Sequence, residues 1–318
     1  MELIRGLHNF APRHRGSVVS IGNFDGLHRG HQALIARLRT LAVQHRVPVT
    51  VVCFEPMPRE FFQGAAAPPR IADLRGKLRD LAMFGVERVV VLPFGARLAA
   101  MSAQAFVQQV LVDGLGARAV IVGDDFRYGS KRVGDLALLK AIGAVEGFSA
   151  EGLDTVEMEG ERCSSTVLRA ALAQPDLDKV ERLLDRRYRI VGRVRHGLKL
   201  GRQLGMPTAN VHLRRPPALA HGVYAVRLAW PGAPEGLPGG LPGVASLGVR
   251  PTLGLTACLL ETHVFDLQPD LYGQEAVVEF HKFLRPQLKF DDLDTLAAQM
   301  QADGLAARAH FSLDLIPS

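Results

Sequence analysis

The chain has 318 residues, 47% of them hydrophobic and 22% charged, which supplies enough apolar surface for real cores and more length than one average domain uses. It carries 38 Lys and Arg against 32 Asp and Glu, and this net charge of +6 suits nucleic acid, but equally an enzyme whose substrates are all anionic. No run approaches the roughly 18 apolar residues of a membrane span, and Met1 to Gly16 lacks the apolar core of a secretory signal, so a cytoplasmic protein without a membrane partner is expected.

The apolar runs of the first half recur at βα spacing. Val18–Ile21, Val49–Phe54, Val89–Leu92 and Val120–Val122 read as short strands, and helical patterns cover 31–45, 73–84 and 102–113 between them. Gly85 supplies a stop for the second helix and Ser102 an N-cap for the third. Strands alternating with helices predict a parallel sheet covered on both faces, with ligands beyond the C-terminal strand ends. A further helix lies between about Pro175 and Arg187. From Tyr188 onward the chain reads as short strands between Gly/Pro turns, predicting a closed barrel. Tyr224, Val226, Leu228 and Trp230 alternate onto one face of one such strand, and the Gly/Pro-dense stretch from Gly232 to Gly243 reads as a surface loop. Leu293, Leu296, Ala297 and Met300 form the stripe of a terminal helix that packs on the barrel. The expected division is 1–184 and 185–318. The cysteines, Cys53, Cys163 and Cys258, fit no CxxC pattern, and their odd number argues for free thiols in a reducing compartment.

The first strand runs into Gly22-Asn-Phe24-Asp-Gly26-Leu-His28-Arg-Gly-His31, ahead of a helix. A glycine-bearing turn at a helix start is a ready anion site, because unpaired N–H groups and the helix dipole point into it. Glycine and charge mark the turn as exposed, which argues against core histidines. Imidazoles also ligate zinc, but a zinc site needs another converging ligand and the sequence offers none. Gly123-Asp-Asp125-Phe126-Arg-Tyr-Gly129 follows the fourth strand and should face the first turn; a tight turn with a capping aspartate is the simpler alternative. Cys163-Ser164-Ser165-Thr166-Val-Leu-Arg169 places hydroxyls and an arginine at a helix start. That suits phosphate oxygens, although an N-cap alone explains one serine.

These three stretches together resemble the signature of the nucleotidyltransferase superfamily, in the form used by bacterial FMN adenylyltransferases. In the second half Gly201-Arg-Gln-Leu-Gly205-Met-Pro-Thr208-Ala-Asn210, Gly248-Val-Arg250-Pro-Thr252, Glu261 and Asp270-Leu-Tyr272-Gly273 resemble the riboflavin kinase motifs. In joint order they span nearly the whole chain and resemble the bacterial family of bifunctional riboflavin kinase/FMN adenylyltransferases (FAD synthetases). The fold so implied is α/β: a doubly wound parallel-sheet nucleotidyltransferase domain, then a six-stranded β-barrel kinase domain with a terminal helix.

The resemblance implies the site residues as well. His28, His31 and Arg169 would act in adenylyl transfer, and Glu261 would be the base of the kinase. Gly22, Phe24, Gly26, His28, His31, Ser164, Ser165, Thr166 and Arg169 would bind one ATP, and Gly201, Gly205, Thr208 and Asn210 the other. Asp125, Phe126, Arg250, Glu261 and Tyr272 would meet flavin. Thr208 and Asn210 offer uncharged oxygens to Mg²⁺, whose charge ATP already balances.

Two departures from the family pattern stand out. Met57 lies where many relatives have a polar or basic residue, and Ser246 where the kinase family usually has asparagine. The implied partners are riboflavin, FMN, FAD and ATP, with no nucleic acid, in a monomer or transient homo-oligomer. One competing enzyme reading gives the transferase half another phosphorylated substrate, such as phosphopantetheine, with the barrel as an accessory module. A nucleic-acid-binding protein is the other alternative; 6% aromatic residues leave it little stacking surface.

Overall fold

A computed structural model describes residues 1–197, 205–233, 240–250, 255–267 and 270–313, with the backbone alone at 250 and 255–257. Gly201, Pro251 and Thr252 therefore lie outside the described residues, as does the side chain of Arg250. Two compact units emerge: Met1–Pro68 with Lys77–Ser165, and Pro69–Gly76 with Thr166–Ser318.

The first unit is built on six strands, β1 (Glu2–Arg5), β2 (Ser17–Ile21), β3 (Val49–Glu55), β4 (Arg88–Pro93), β5 (Ala117–Gly123) and β6 (Ser149–Leu153). They form one sheet in the order β1-β4-β3-β2-β5-β6, and every pair is parallel. Val18, Val19, Val51, Val52, Val89, Val90, Val120 and Ile121 are at most 1% exposed. Continuous burial of this kind is what a parallel sheet with both faces covered requires. The chain winds from β2 through β3 and β4 to one side, then returns to β5 on the other. The C-terminal ends of β2 and β5 therefore flank the switch point where such sheets bind ligands.

The covering helices include α1 (Arg29–His45), α2 (Pro58–Gln63), α3 (Leu74–Met83), α4 (Ala96–Ala99), α5 (Ala103–Phe106) and α6 (Leu136–Glu146). Helix α1 begins two residues before its expected start because His28 takes the N-cap position. Ser102 caps α5 as expected, accepting from the Ala105 N–H at 3.1 Å. The expected helix over 102–113 continues past α5 as π-helical turns over Val107–Gly114. Helix α6, capped by Asp135 through a 2.9 Å bond from the Leu138 N–H, and the edge strands β1 and β6 were absent from the sequence reading. β6 is only half-buried and has no valine run to betray it. A small hairpin, β7 (Glu157–Met158) with β8 (Glu161–Arg162), precedes α7 (Ser165–Ala173).

In the second unit, α8 (Leu177–Leu184) leads into β9 (Tyr188–Arg195), β10 (Ala209–Leu213), β11 (Gly222–Ala229), β12 (Leu241–Arg250), β13 (Leu255–Val264) and β14 (Glu275–Arg285). These close into an antiparallel barrel in the order β10-β13-β12-β11-β14-β9. Tyr224, Val226 and Leu228 are fully buried on one face of β11, as their alternation predicts. Trp230 lies past the end of that strand; of the expected loop from Gly232 to Gly243, residues 234–239 lie outside the described residues and the last three belong to β12, which starts at Leu241.

The opposite face of β11 is buried too. Val223 and Ala225 pack with Val244, Phe265 and Ala307 of the terminal helix α9 (Leu293–His310). The stripe of α9 that meets the barrel runs through Leu296, Met300, Asp303, Gly304 and Ala307, while Leu293 is exposed. Apolar periodicity missed the later part because Asp303, a buried acid, occupies it. The Arg285 guanidinium grips its carboxylate bidentately at 2.7 and 2.6 Å. Among the described residues no helix is long and apolar enough to cross a membrane, and all three cysteines are free and buried.

Candidate active sites

The turn between β2 and α1 is buried, contrary to the exposure its glycines and charges suggest. Phe24, Asp25 and Leu27 are at most 1% exposed and His28 is 7% exposed. The chain reaches this state through an unusual backbone: Phe24, Gly26 and Leu27 take φ of 47°, 90° and 41°. Left-handed conformations at Phe24 and Leu27 cost of order 1–3 kcal/mol each, and burial of both side chains beneath the helix start offsets that cost. Gly22 and Gly30 serve close approach. A Cβ on Gly22 would stand 3.1 Å from the Phe24 ring, and one on Gly30 would stand 3.2 Å from the His28 ring and 3.3 Å from the Cys163 carbonyl.

His28 and His31 stack with centroids 3.9 Å apart, and Phe24 leans on His31 at 5.0 Å. His28 holds the N-cap position of α1, so the N-terminal end of the helix, with its dipole, faces this turn. The Nδ1 of His31 is buried without a hydrogen-bond partner. Burial of the ring pushes the His31 pKa well below its ordinary 6.5, helped by the neighbouring His28 and Lys77. At neutral pH this imidazole is therefore uncharged.

Ser165 ties the third motif to this turn, its hydroxyl donating to the Asp25 carbonyl at 2.9 Å. Ser164 is half-buried just ahead of α7 and Thr166 is exposed on its first turn; Arg169, farther along, donates from Nε to the Pro69 carbonyl at 2.9 Å. The 123–129 loop follows β5, the strand paired to β2. Its Asp125 is bound to Arg162 at 3.0 Å, and Arg162 also reaches Asp124 at 3.4 Å. Phe126 stacks on Tyr128 at 5.4 Å. Arg162 escaped the sequence reading because its spacing from the aspartates gives no local pattern.

An aromatic surface also escaped it. Phe54, Phe61, Phe62 and Phe94 meet edge to face at centroid distances of 5.1–5.8 Å around the C-terminal ends of β3 and β4, with Phe62 67% exposed. Adjacent phenylalanines in a helix cannot both face a core, and that was the available signal. Met57, the first departure from the family pattern, is 5% exposed; its N–H donates to Glu60 Oε2 at 2.8 Å while its side chain packs in the interior.

In the barrel, Glu261 on β13 is half-buried between two cross-strand neighbours, Asn210 on β10 and Ser246 on β12. Val223 on β11 continues the same row and lies under α9. Glu261 thus belongs to the outer face of the barrel, the one the terminal helix partly covers. Met206 packs in that same cluster, and a Cβ on Gly304 of α9 would meet its methyl at 3.5 Å. Asn210 is 4% exposed; its amide donates to the Thr208 carbonyl at 3.2 Å and its Oδ1 has no partner. Gly197 permits this, because a Cβ there would stand 2.6 Å from the Asn210 amide nitrogen.

Thr262, one residue on, points to the other face, where its buried hydroxyl also has no partner. It lines a cleft of about 330 Å³ with Thr208, Ala209, Asp270 and Tyr272, and the Tyr272 ring lies 3.8 Å from that of His196. The structure thus brings Thr208 and Tyr272 into one cleft, and sets Asn210 and Glu261 on the adjoining face. Gly205, with φ 76°, forms the turn that leads into them.

Comparison with known proteins bears on both halves. The FAD synthetase family profile matches residues 10–167 and the riboflavin kinase profile residues 184–311. The chain is 50% identical over 310 residues to the bifunctional riboflavin kinase/FMN adenylyltransferase of Pseudomonas fluorescens, covering 97% of each. It is 45% identical to the protein of the same name from Escherichia coli K12, covering 98% of this chain and 99% of the other. A solved structure described as a macrolide-efflux protein from Streptococcus pneumoniae superposes with a TM-score of 0.79 at 27% identity, covering 97% of this chain and 99% of that one.

Proposed function

The chain belongs to the bifunctional riboflavin kinase/FMN adenylyltransferase family, and from that premise we propose how its residues divide the two reactions. The enzyme phosphorylates riboflavin to FMN and adenylylates FMN to FAD, with ATP and flavins as its substrates. We assign adenylyl transfer to 1–184 and the kinase to 185–318. A cytoplasmic location, in keeping with three free thiols, and a monomer or transient homo-oligomer complete the reading.

In adenylyl transfer the nucleophile is a phosphate oxygen of FMN, already an anion, so no general base is demanded. Alignment and charge stabilisation are. The observation that carries this half is the buried, stacked His28–His31 pair at the start of α1, tied through Asp25 to Ser165. His28, His31, Ser164, Ser165, Thr166 and Arg169 supply donors to the ATP phosphates, and Gly22, Phe24 and Gly26 shape the turn. Asp125 and Phe126 with the Phe54–Phe62–Phe94 surface form the flavin side, since exposed aromatic faces suit an isoalloxazine ring.

In the kinase a neutral ribityl hydroxyl attacks the γ-phosphorus, the bond from that phosphorus to the β-phosphate oxygen breaks with ADP leaving, and the hydroxyl must give up its proton. Glu261 accepts it, held in the Ser246–Glu261–Asn210 row. The orphaned Oδ1 of Asn210 and the adjacent Thr208 fit Mg²⁺, as uncharged oxygens beside a polyphosphate. When bound, the ion neutralises developing charge on the β- and γ-phosphates. Gly205 forms the turn ahead of Thr208, Gly201 is assigned to the same ATP, and Tyr272 and Arg250 are assigned to flavin.

Chromatography of flavins after mixing the protein with riboflavin, ATP and Mg²⁺ tests the whole assignment. FMN and then FAD should appear in succession. If either His31→Ala or Glu261→Ala abolished both steps in folded protein, two separate sites would be the wrong picture.

A further inference from the structure

The stretch Pro69–Gly76 falls in the first half of the sequence but belongs to the compact unit of the barrel. Pro69 has a carbonyl and no N–H, so it can enter a hydrogen-bonded frame only as an acceptor. Three successive carbonyls are met by donors from three places in the same unit. The Arg169 Nε of α7 donates to the carbonyl of Pro69 at 2.9 Å, the Ala218 N–H to that of Arg70 at 2.8 Å, and the Tyr188 hydroxyl of β9 to that of Ile71 at 2.8 Å. Ile71 is 2% exposed and Tyr188 3%, so the last of these bonds is shielded from water. The stretch around Ala218 also holds α7, because the Ala220 N–H donates to the Leu172 carbonyl at 3.0 Å. Arg169 and the carbonyl it grips are thus fixed to one frame.

We propose that Tyr188, the first residue of the first barrel strand, is a positioning residue for adenylyl transfer, acting through Ile71 and Pro69 on Arg169. The inference rests on the assignment of Arg169 to the ATP phosphates. An arginine presents its donors in one planar fork, so a bond at Nε fixes the plane and the direction of the two terminal nitrogens. Pro69 is the acceptor that makes this bond, and Tyr188 pins the chain two residues farther on. As the reaction proceeds, an FMN phosphate oxygen bonds to the α-phosphorus, and the bond from that phosphorus to the β-phosphate oxygen breaks. The electron pair leaves with pyrophosphate, and a donor already aimed at that growing charge needs no reorganisation. A misplacement of about 1 Å in such a group can cost about 10²-fold in rate. Tyr188 itself touches no reacting atom, and no proton moves to or from it.

The competing role is structural, with Tyr188 serving only to pack its ring against Phe280, 5.8 Å away, and to fasten 69–76 to the barrel. Tyr188→Phe keeps the ring and removes only the hydroxyl. Three full-length variants, Tyr188→Phe, Arg169→Ala and the two combined, separate the roles. FAD formation from FMN is measured as kcat/KM for ATP, and FMN formation from riboflavin is the internal control for a folded barrel. Tyr188→Phe should lower kcat/KM for ATP by about tenfold, part of the loss expected for a misaimed group, and leave FMN formation unchanged. Arg169→Ala should lower it by about 10²-fold, as loss of one preorganised charge-stabilising group does. The combined variant should be within about twofold of Arg169→Ala, because two residues that act as one unit are not additive.

Equal losses from Tyr188→Phe with and without Arg169, or a loss of FMN formation alongside FAD formation, would mean a structural role and overturn the proposal. Arg169→Lys decides the matter even where Tyr188→Phe fails to fold. It keeps the charge, but its single nitrogen cannot be tethered to Pro69 and present a fork to phosphate. It should therefore recover little of the activity lost in Arg169→Ala, and full recovery would overturn the proposal. FAD formation surviving Arg169→Ala would overturn the assignment of Arg169 itself. Its loss there, with Tyr188→Phe at the wild-type level, would overturn the role of Tyr188 alone.

Discussion

The parallel sheet and the barrel each bring an ATP to a nucleophile, but one nucleophile is an anion and the other a neutral alcohol. The residues around them differ accordingly. At the sheet, imidazoles, a helix N-terminus and hydroxyls converge on a turn held in a strained backbone by the burial of Phe24 and Leu27. At the barrel, a carboxylate stands in a cross-strand row with an amide and a hydroxyl, beside orphaned oxygens of Asn210 and Thr262. On the proposed assignment, attack that needs no proton removed is served by fixed donors, and attack that does is served by a base, with cation binding left to uncharged oxygens.

The largest effects should come from removing what distinguishes each site. Glu261→Ala should lower FMN formation by about 10²–10⁴-fold, the range for a lost general base, while FAD formation from supplied FMN is unchanged. His31→Ala should do the reverse, with FAD formation down by about 10²–10³-fold and FMN accumulating. Flavin chromatography reads both in one experiment, and a variant that fell in both activities while still folded would break the comparison.

A smaller effect should follow from the Asp303–Arg285 pair, which fastens α9 over the outer face of the barrel. Asp303 is 6% exposed and the pair is bidentate. Asp303→Asn should destabilise that unit by about 3–5 kcal/mol, as breaking a buried ion pair does. The thermal transition of the kinase half should fall, with FMN formation lost at a lower temperature than FAD formation from FMN. Gly30→Ala should act only on the sheet. Its methyl would enter at 3.2–3.3 Å from His28 and Cys163, an overpacking worth about 1–3 kcal/mol, and FAD formation should drop while FMN formation holds.

Sequence carried the motifs and the main strands further than it carried their surroundings. Valine runs disclosed β2 to β5, and glycine spacing disclosed the turn between β2 and α1, because parallel strands and tight turns constrain residue type locally. The burial of that turn was not legible, since it depends on Phe24 and Leu27 turning inward through left-handed backbone that no pattern announces. Lys77 and Asp303 were hidden for a related reason: a charged residue inside a core interrupts the apolar periodicity by which cores are found. The row around Glu261 is a matter of register, and register across three strands is fixed by the closed barrel rather than by any one segment.

The mildest test concerns pH, and it sharpens the contrast in charge. Burial, then His28, then Lys77 hold His31 well below the ordinary value of 6.5. Between that ordinary value and the depressed one, the unfolded chain binds a proton that the native ring refuses, so stability is complete above pH 6.5 and falls as the pH is lowered through this window. His31→Gln removes the titration. Acidification should therefore cost the wild type more of its thermal stability than it costs His31→Gln, and the gap should widen as the pH drops. The phosphates of ATP and FMN titrate near this range themselves, so the pH profile of kcat/KM for ATP should have the same shape near 6.5 in the wild type and in His31→Gln. An inflection present in the wild type and lost in His31→Gln would mean that the imidazole itself titrates there, and the reading of His31 as an uncharged donor would fall.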